Sequence, residues 1–361
     1  MDHSHFMRKA LALAERGRPT TSPNPMVGAL VVDDEGVIVG RGAHLAAGGP
    51  HAEVVALDDA GARARGATLY CTLEPCAHVG RTGPCAPLVA DAGIRCAVVA
   101  LVDPNPLVKG AGLAHLRARG VQIVVGIEEQ AARRQNAAFL TWILERRPFV
   151  IMKVALSVDG RMAAAPGVRT RLTGPAANRR IHRQRAEIDA IGVGVGTILA
   201  DDPRLTARGA FRARPLTRVI FDRRLRTPPS ARVLSTIEAG PVIILTTERT
   251  KAHAAVRREA LEAAGATVLA QPSDDLAEAL HVLSDREITS MVLEGGAALH
   301  RSAIAAGLVD LVQVYIAPVT LGPGGLEWLG RGRLDWDRLC GRSAAWLGDD
   351  VMVQGYVHGN Y

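Results

Sequence analysis

Apolar and polar positions along this chain follow two alternating periods. Stretches with helical spacing give way to short runs rich in valine, isoleucine and leucine. Residues 4–16 read as an amphipathic helix. Residues 27–32 and 36–40 read as a hairpin that turns around Asp33-Asp34-Glu35-Gly36. The pattern then predicts a helix over 51–63, a strand over 67–73, a helix over 87–92 and a strand over 96–102. A helix over 112–119 closes at Gly120, and 121–125 reads as another strand. This alternation predicts an α/β fold with much of its sheet covered on both faces.

A charged break at Glu145-Arg146-Arg147-Pro148 precedes a new strand over 149–156, which places domains at 1–147 and 148–361. The second series has a helix over 175–187, with Thr173 as the expected N-cap and Pro175 in the first turn. Strands are expected over 190–195, 218–222 and 242–245. A helix over 251–264 ends at Gly265. A strand over 289–293, a helix over 297–306 and a strand over 311–317 complete the series. No internal repeat or low-complexity linker is visible.

Composition adds bounds to this picture. At 361 residues the chain is long enough for about two domains. Its 48% hydrophobic and 22% charged residues exclude a disordered chain. No apolar run reaches the roughly 20 residues of a membrane span, and the N-terminal stretch, cut by charge, is not a secretory signal. An odd number of cysteines, five, argues against a disulfide framework, so a cytoplasmic setting is expected. The net charge of +7 comes almost wholly from arginine, since only Lys9, Lys109, Lys153 and Lys251 are lysines. Aromatics at 4% offer few stacking platforms for nucleic acid. An anionic small molecule fits the charge better.

Candidate chemistry is concentrated in two places. His51-Ala52-Glu53 stands at a predicted helix start, followed by Glu74-Pro75-Cys76 and, after eight intervening residues, Cys85. His51, Cys76 and Cys85 form a donor set suited to Zn²⁺ with one open position for water. Glu53 is placed to move a proton from that water to a departing amine. A structural site with four ligands is the rival reading, with His78, Cys71 or Cys96 as the fourth. In the second half, Glu294-Gly295-Gly296 opens a helix after a strand and suits a phosphate at the helix N-terminus. Gly192-Val193-Gly194-Val195-Gly196 is a weaker glycine signal.

The combination of His-x-Glu with a later Pro-Cys resembles the zinc-dependent nucleobase deaminases. The string from Glu74 to Cys85, with Pro23-Asn24-Pro25-Met26-Val27-Gly28 and Asp103-Pro104-Asn105-Pro106, is similar to the riboflavin-biosynthesis pyrimidine deaminases. The long cysteine spacing argues against the tRNA-adenosine and cytidine deaminases. The resemblance implies that Asn24, His78 and Arg81 meet the substrate. It continues in Lys153–Arg161 and in the segment 194–206, which look like the riboflavin reductase domain.

The implied fold is a cytidine-deaminase-like α/β/α domain followed by a dihydrofolate-reductase-like α/β domain. In the second, the resemblance puts Ala155, Arg171, Thr197, Asp201, Gly295, Gly296, Ala297, Ala298 and Leu299 at the cofactor, NADPH. It puts Arg169, Arg185, Leu205, Arg208 and Glu294 at the substrate. Two positions depart from the family. Arg171-Leu172-Thr173 replaces the common Trp-Ile-Thr, and Arg169 replaces a small polar residue.

The implied function is bifunctional. Zinc-dependent deamination of 2,5-diamino-6-ribosylamino-4(3H)-pyrimidinone 5′-phosphate is followed by NADPH-dependent reduction of its ribosyl group to ribityl. The implied partner is a phosphorylated pyrimidine, with no nucleic acid and no membrane, in a homo-oligomer. The alternatives are a deaminase with an inactive or altered reductase half, an RNA-editing deaminase, and a structural-zinc module.

Overall fold

The computed structural model describes residues 2–77, 83–105, 108–330 and 334–359. Between Glu145 and Arg146 the chain divides into two compact units. The first begins with α1 (His3–Ala14), β1 (Gly28–Val32), β2 (Ile38–Ala43), α2 (Ala52–Ala60) and β3 (Thr68–Cys71). It continues with α3 (Cys85–Asp91), β4 (Cys96–Val99), α4 (Ala111–Ala118), β5 (Gln122–Val125), α5 (Glu129–Gln135) and α6 (Ala137–Glu145).

Helix α1 forms because Asp2 caps it, its carboxylate accepting from the His5 backbone N–H at 3.1 Å. Phe6, Met7, Ala10, Leu11 and Ala14 give it one buried face. At the hairpin, Asp33 Oδ1 accepts from the backbone N–H groups of Glu35 and Val37. The five strands lie in the order β2-β1-β3-β4-β5. β1 runs antiparallel to β2 and β3, while β3, β4 and β5 are parallel. The core gathers Leu30, Leu69, Tyr70, Val98 and Leu116. Gly42 on β2 seats the first turn of α2, since a Cβ there would collide with the Ala52 carbonyl.

The second unit opens with β6 (Phe149–Ser157), β7 (Arg161–Ala163), α7 (Pro175–Glu187), β8 (Ala190–Gly194), α8 (Val195–Asp201), β9 (Thr217–Phe221) and β10 (Val242–Thr247). Next come α9 (Glu248–His253), α10 (Ala255–Ala263), β11 (Thr267–Gln271), α11 (Leu276–Ser284), β12 (Ser290–Gly295) and α12 (Ala297–Ala305). β13 (Leu311–Ala317), β14 (Leu326–Glu327), β15 (Cys340–Leu347) and β16 (Asp350–Tyr356) finish it.

The main sheet has nine strands in the order β11-β10-β9-β8-β12-β6-β13-β16-β15. Strands from β11 to β13 are parallel, and β16 and β15 add antiparallel pairs. Val150, Met152, Val219, Leu245, Leu280, Leu293 and Val312 pack its core. A buried bidentate pair, Arg147 with Asp310 at 2.7 and 2.8 Å, ties the entry of β6 to that of β13.

Several sequence expectations need correction. The helix expected over 251–264 is two helices, broken at Ala254, whose ψ of 43° is not helical. Thr247 starts the first of them early by accepting from the Thr250 N–H. Gly174, not Thr173, is the N-cap of α7. The Thr173 hydroxyl instead donates to Asn178 Oδ1 at 3.2 Å. The strand expected through Val195 stops at Gly194, because Val195 already opens α8.

Candidate active sites

In the first unit, β3 and the segment after it deliver Cys76, while α2 and α3 deliver the other polar groups. His51 is the N-cap residue of α2, and Glu53 lies in its first turn, 3% exposed. Cys85 is the first residue of α3, and its backbone N–H donates to Cys76 Sγ at 3.4 Å. His51 Nδ1 lies 3.2 Å from Cys85 Sγ and 3.5 Å from Cys76 Sγ. All three donor atoms lie within 4.8 Å of one another. Tetrahedral Zn–S and Zn–N bonds imply donor separations of about 3.5–3.8 Å, so the set fits a zinc ion. Among the described residues neither Cys71 nor Cys96 joins this cluster, which leaves three ligands there and disfavours their use as a fourth.

The electrostatics match a place for a cation. The Cys85 thiol, joined by His51, pulls the Cys76 thiol down to about 4 against the opposing effect of burial. Cys85 is driven upward because its proton is engaged by Cys76, with burial adding to it. Cysteine and histidine bind a metal in their deprotonated forms, so a pair of thiols held this close to a ring nitrogen suits a cation. Burial raises the Glu53 carboxyl to about 7, with His51 opposing the rise.

Asn24 connects to this cluster through His44: its Nδ2 lies 3.1 Å from His44 Nε2, and the His44 ring stands edge-on to His51 at 5.3 Å. His44 was not singled out by the sequence reading. Its Nδ1 donates to the Pro50 carbonyl at 3.0 Å, which leaves Nε2 to accept from Asn24. Asn24 Oδ1 is thereby set as an acceptor. A second histidine seven residues before His51 was the only sequence signal for this role. His78 and Arg81 lie outside the described residues.

The second constellation lies at the carboxyl ends of parallel strands, where open α/β sheets place their ligands. Arg185 on α7 forms a fork on Glu294, at the end of β12, with bonds of 2.6 and 2.7 Å. Lys153 of β6 stands 3.6 Å from the same carboxylate and 5.7 Å from the Tyr315 ring centroid. Burial acts to raise Glu294, but Arg185 and Lys153 outweigh it and hold the carboxyl at about 2. Lys153 is itself lowered by burial. In the sequence Lys153 is one residue of a strand; its burial beside Glu294 is what marks it.

Arg208 lies alongside. Its backbone N–H and Nη2 face Nδ1 and Nε2 of His182 at 3.3 and 3.0 Å. A neutral imidazole has one acceptor nitrogen, so this corner holds more donors than acceptors and suits an anion. Burial lowers the Arg208 pKa, and the nearby charges of Arg185, Arg204 and Arg171 lower it further, so this corner is rich in positive charge. Leu205 is buried with φ +54°.

Thr197 in α8 meets the Gly295–Gly296 turn. A Cβ on Gly295 would come 2.7 Å from Thr197 Oγ1, and Gly296 takes φ +86° as the N-cap of α12. Ala297, Ala298 and Leu299 form the first turn of α12. This backbone cradle at a helix N-terminus suits a phosphate. Arg169 lies near enough to Asp201 to oppose the upward push of burial on that carboxyl. Ala155 packs with Ala177, Ile181, Tyr315 and Met352.

Comparison with known proteins follows the same division. Residues 1–101 match the family described as the cytidine and deoxycytidylate deaminase zinc-binding region. Residues 148–333 match the RibD C-terminal domain. The riboflavin biosynthesis protein RibD of Aquifex aeolicus is 42% identical over 89% of this chain and 88% of its own length. Acinetobacter baumannii RibD superposes with a TM-score of 0.86 at 36% identity, covering 98% of each chain. The diaminohydroxyphosphoribosylaminopyrimidine deaminase/5-amino-6-(5-phosphoribosylamino)uracil reductase of Thermotoga maritima gives 0.84 at 31% identity, again over 98% of each. The fold class read from the sequence, deaminase-like then reductase-like, is the one these matches bear out.

Proposed function

We propose how this chain, which belongs to the RibD family of bifunctional riboflavin-biosynthesis deaminase/reductases, divides its chemistry between its residues. The observation that carries the reading is the His51, Cys76 and Cys85 cluster beside buried Glu53, in one chain with the Arg185–Glu294–Lys153 constellation.

In the first unit His51, Cys76 and Cys85 hold zinc. When bound there, zinc supplies the Lewis acidity that makes a water nucleophilic near neutral pH. Glu53 accepts a proton as that water adds to the amine-bearing carbon of 2,5-diamino-6-ribosylamino-4(3H)-pyrimidinone 5′-phosphate. It returns the proton to the amine, which leaves as ammonia. Asn24 Oδ1, fixed by His44, orients the ring.

When bound in the second unit, NADPH would supply the hydride for conversion of the ribosyl group to ribityl. The Gly295–Leu299 turn and Thr197 hold cofactor phosphate, with Ala155, Arg171 and Asp201 beside it. Arg185 and Glu294 hold the sugar chain, and Arg208, Arg169 and Leu205 line the same subsite. Lys153, its pKa lowered by burial, is the group that gives a proton to the opening sugar oxygen.

NADPH is preferred over NADH on charge. Arg224, Arg249 and Arg257 are exposed, have no carboxylate partner among the described residues, and line one pocket with His253. That pocket lies by the carboxyl ends of β9 and β10. These are two and three strand positions from β12, or about 10–15 Å. An adenosine 2′-phosphate fits there. We also expect self-association, read by sedimentation, and a cytoplasmic setting, in keeping with five unpaired cysteines.

The test is NADPH oxidation by zinc-loaded protein started with the diamino substrate, with ammonia measured in the same tube. Oxidation with ammonia release supports both halves. Ammonia without oxidation overturns the reductase assignment, and neither signal overturns the whole reading.

A further inference from the structure

Glu74 belongs to the motif that carries Cys76, yet nothing above gives it a role. It is 3% exposed. Among the described residues no basic side chain forms an ion pair with it. Its charge is met by four backbone N–H groups from three places in the chain. Oε2 accepts from Asp103 at 3.2 Å and from Gly110 at 3.0 Å. Oε1 accepts from Gly112 at 3.0 Å and from Leu113 at 3.1 Å. The last two belong to the first turn of α4, whose unpaired N–H groups and positive dipole end favour an anion. The first two come from Asp103, which opens the Asp103-Pro104-Asn105 motif, and from Gly110, the residue before α4. The Glu74 backbone N–H in turn donates to the Leu101 carbonyl at 2.9 Å, just beyond β4.

The next residues in the chain are Pro75 and Cys76. α4 approaches Pro75 so closely that a Cβ on Gly112 would collide with its carbonyl. On its other side Cys76 is held by α3, through Cys85 N–H to Sγ and Ala86 N–H to its carbonyl at 2.9 Å. The segment bearing Cys76 is therefore clamped between two helix starts, and Glu74 fastens one of them. Both Glu74 oxygens are fully occupied, so the carboxylate is neither a metal ligand nor a proton shuttle.

We propose that Glu74 is a positioning residue for the metal centre: its carboxylate ties Asp103, Gly110 and the first turn of α4 to the chain beside Pro75, and so holds Cys76 where it can ligate. This inference rests on the zinc reading above and assigns a determinant of metal affinity outside the ligand set. Outer-shell groups that orient ligands are worth roughly 10- to 100-fold in metal affinity.

The experiment uses full-length protein and two variants. Glu74→Gln replaces one acceptor oxygen with an NH₂ group that faces two N–H donors. Gly112→Ala leaves Glu74 intact but pushes α4 away from Pro75. Zinc affinity is read by competition with a chromogenic chelator, and the thiolate-to-metal charge-transfer band by Co²⁺ substitution. Both variants are expected to lose roughly 10- to 100-fold in zinc affinity and to alter the Co²⁺ band. Deamination falls with the lost metal, and NADPH oxidation with deaminated substrate is unchanged. Wild-type zinc affinity and an unaltered Co²⁺ band in either folded variant overturn the proposal, even if that variant melts earlier. If Glu74→Gln fails to fold, Gly112→Ala decides alone. A wild-type chain that binds no zinc would sink the metal reading itself, an outcome distinct from zinc held equally by all three proteins.

Discussion

Two buried glutamates show how surroundings divide one side-chain type between two tasks. Burial lifts Glu53 to about 7, a value suited to passing a proton near neutrality. Glu53→Gln is expected to keep full zinc while deamination falls by at least roughly 100-fold; metal analysis beside an ammonia assay checks both. Glu294 goes the other way. Burial acts to raise it, but Arg185 and Lys153 hold it at about 2, below its ordinary 4.5. Its folded pKa is depressed, so the stability it lends is present above about pH 4.5 and is lost as pH falls toward 2. The amount is on the order of 3 kcal/mol. Thermal melts from pH 7 down to pH 2 should show this loss, and Glu294→Gln should flatten it. The residue types for both tasks were legible in the sequence. His44 and Lys153 were not, because a histidine fixed by a carbonyl and a lysine facing a buried carboxylate are known only from their neighbours in space.

At the scale of elements, α2 is the one on which deaminase geometry depends. It carries His51 at its N-cap and Glu53 in its first turn, and Gly42 lets that turn sit directly on β2. A Gly42→Val change lifts the turn. Displacements of about 1 Å can cost 100-fold in rate, so zinc retention and deamination should both drop while NADPH oxidation of deaminated substrate persists. An undisturbed deaminase would reject this role for Gly42. Strongly marked elements were read well: α7 and β13 have the bounds their sequence pattern predicts. Proline in the first turn fixes the start of α7, and a bounded β-branched run fixes β13. Elements with a blurred pattern escaped. α5 is mostly polar with Ala132 alone buried, and β15 is exposed along nearly its whole length. Neither shows the alternation that one buried face imposes.

For the whole molecule, two units with separate cores carry two separate sets of chemical groups. Asp201→Ala should therefore weaken NADPH oxidation and leave ammonia release at the wild-type rate; equal loss of both activities would contradict the separation. Arg224→Ala with Arg249→Ala should raise the Kd for NADPH while leaving that for NADH unchanged, which direct titration of both nucleotides measures. Equal effects on the two would remove the 2′-phosphate from that pocket.

By itself the sequence determined the α/β class and offered a two-part organisation and a set of candidate metal donors, while its motifs carried the family resemblance from which the bifunctional reading came. The elements and the candidate donors are written in local spacing: alternation within strands, caps beside helices, and a His-x-Glu at one helix start with a Cys at the next. Tertiary structure decided what spacing cannot reach. It set the order of nine strands, the sharing of Glu294 between Arg185 and Lys153, the fixing of Asn24 by His44, and the four N–H groups that converge on Glu74 from up to 39 residues away. Those groups meet because packing brings distant backbone together, and burial then requires each charge and each N–H to find its partner.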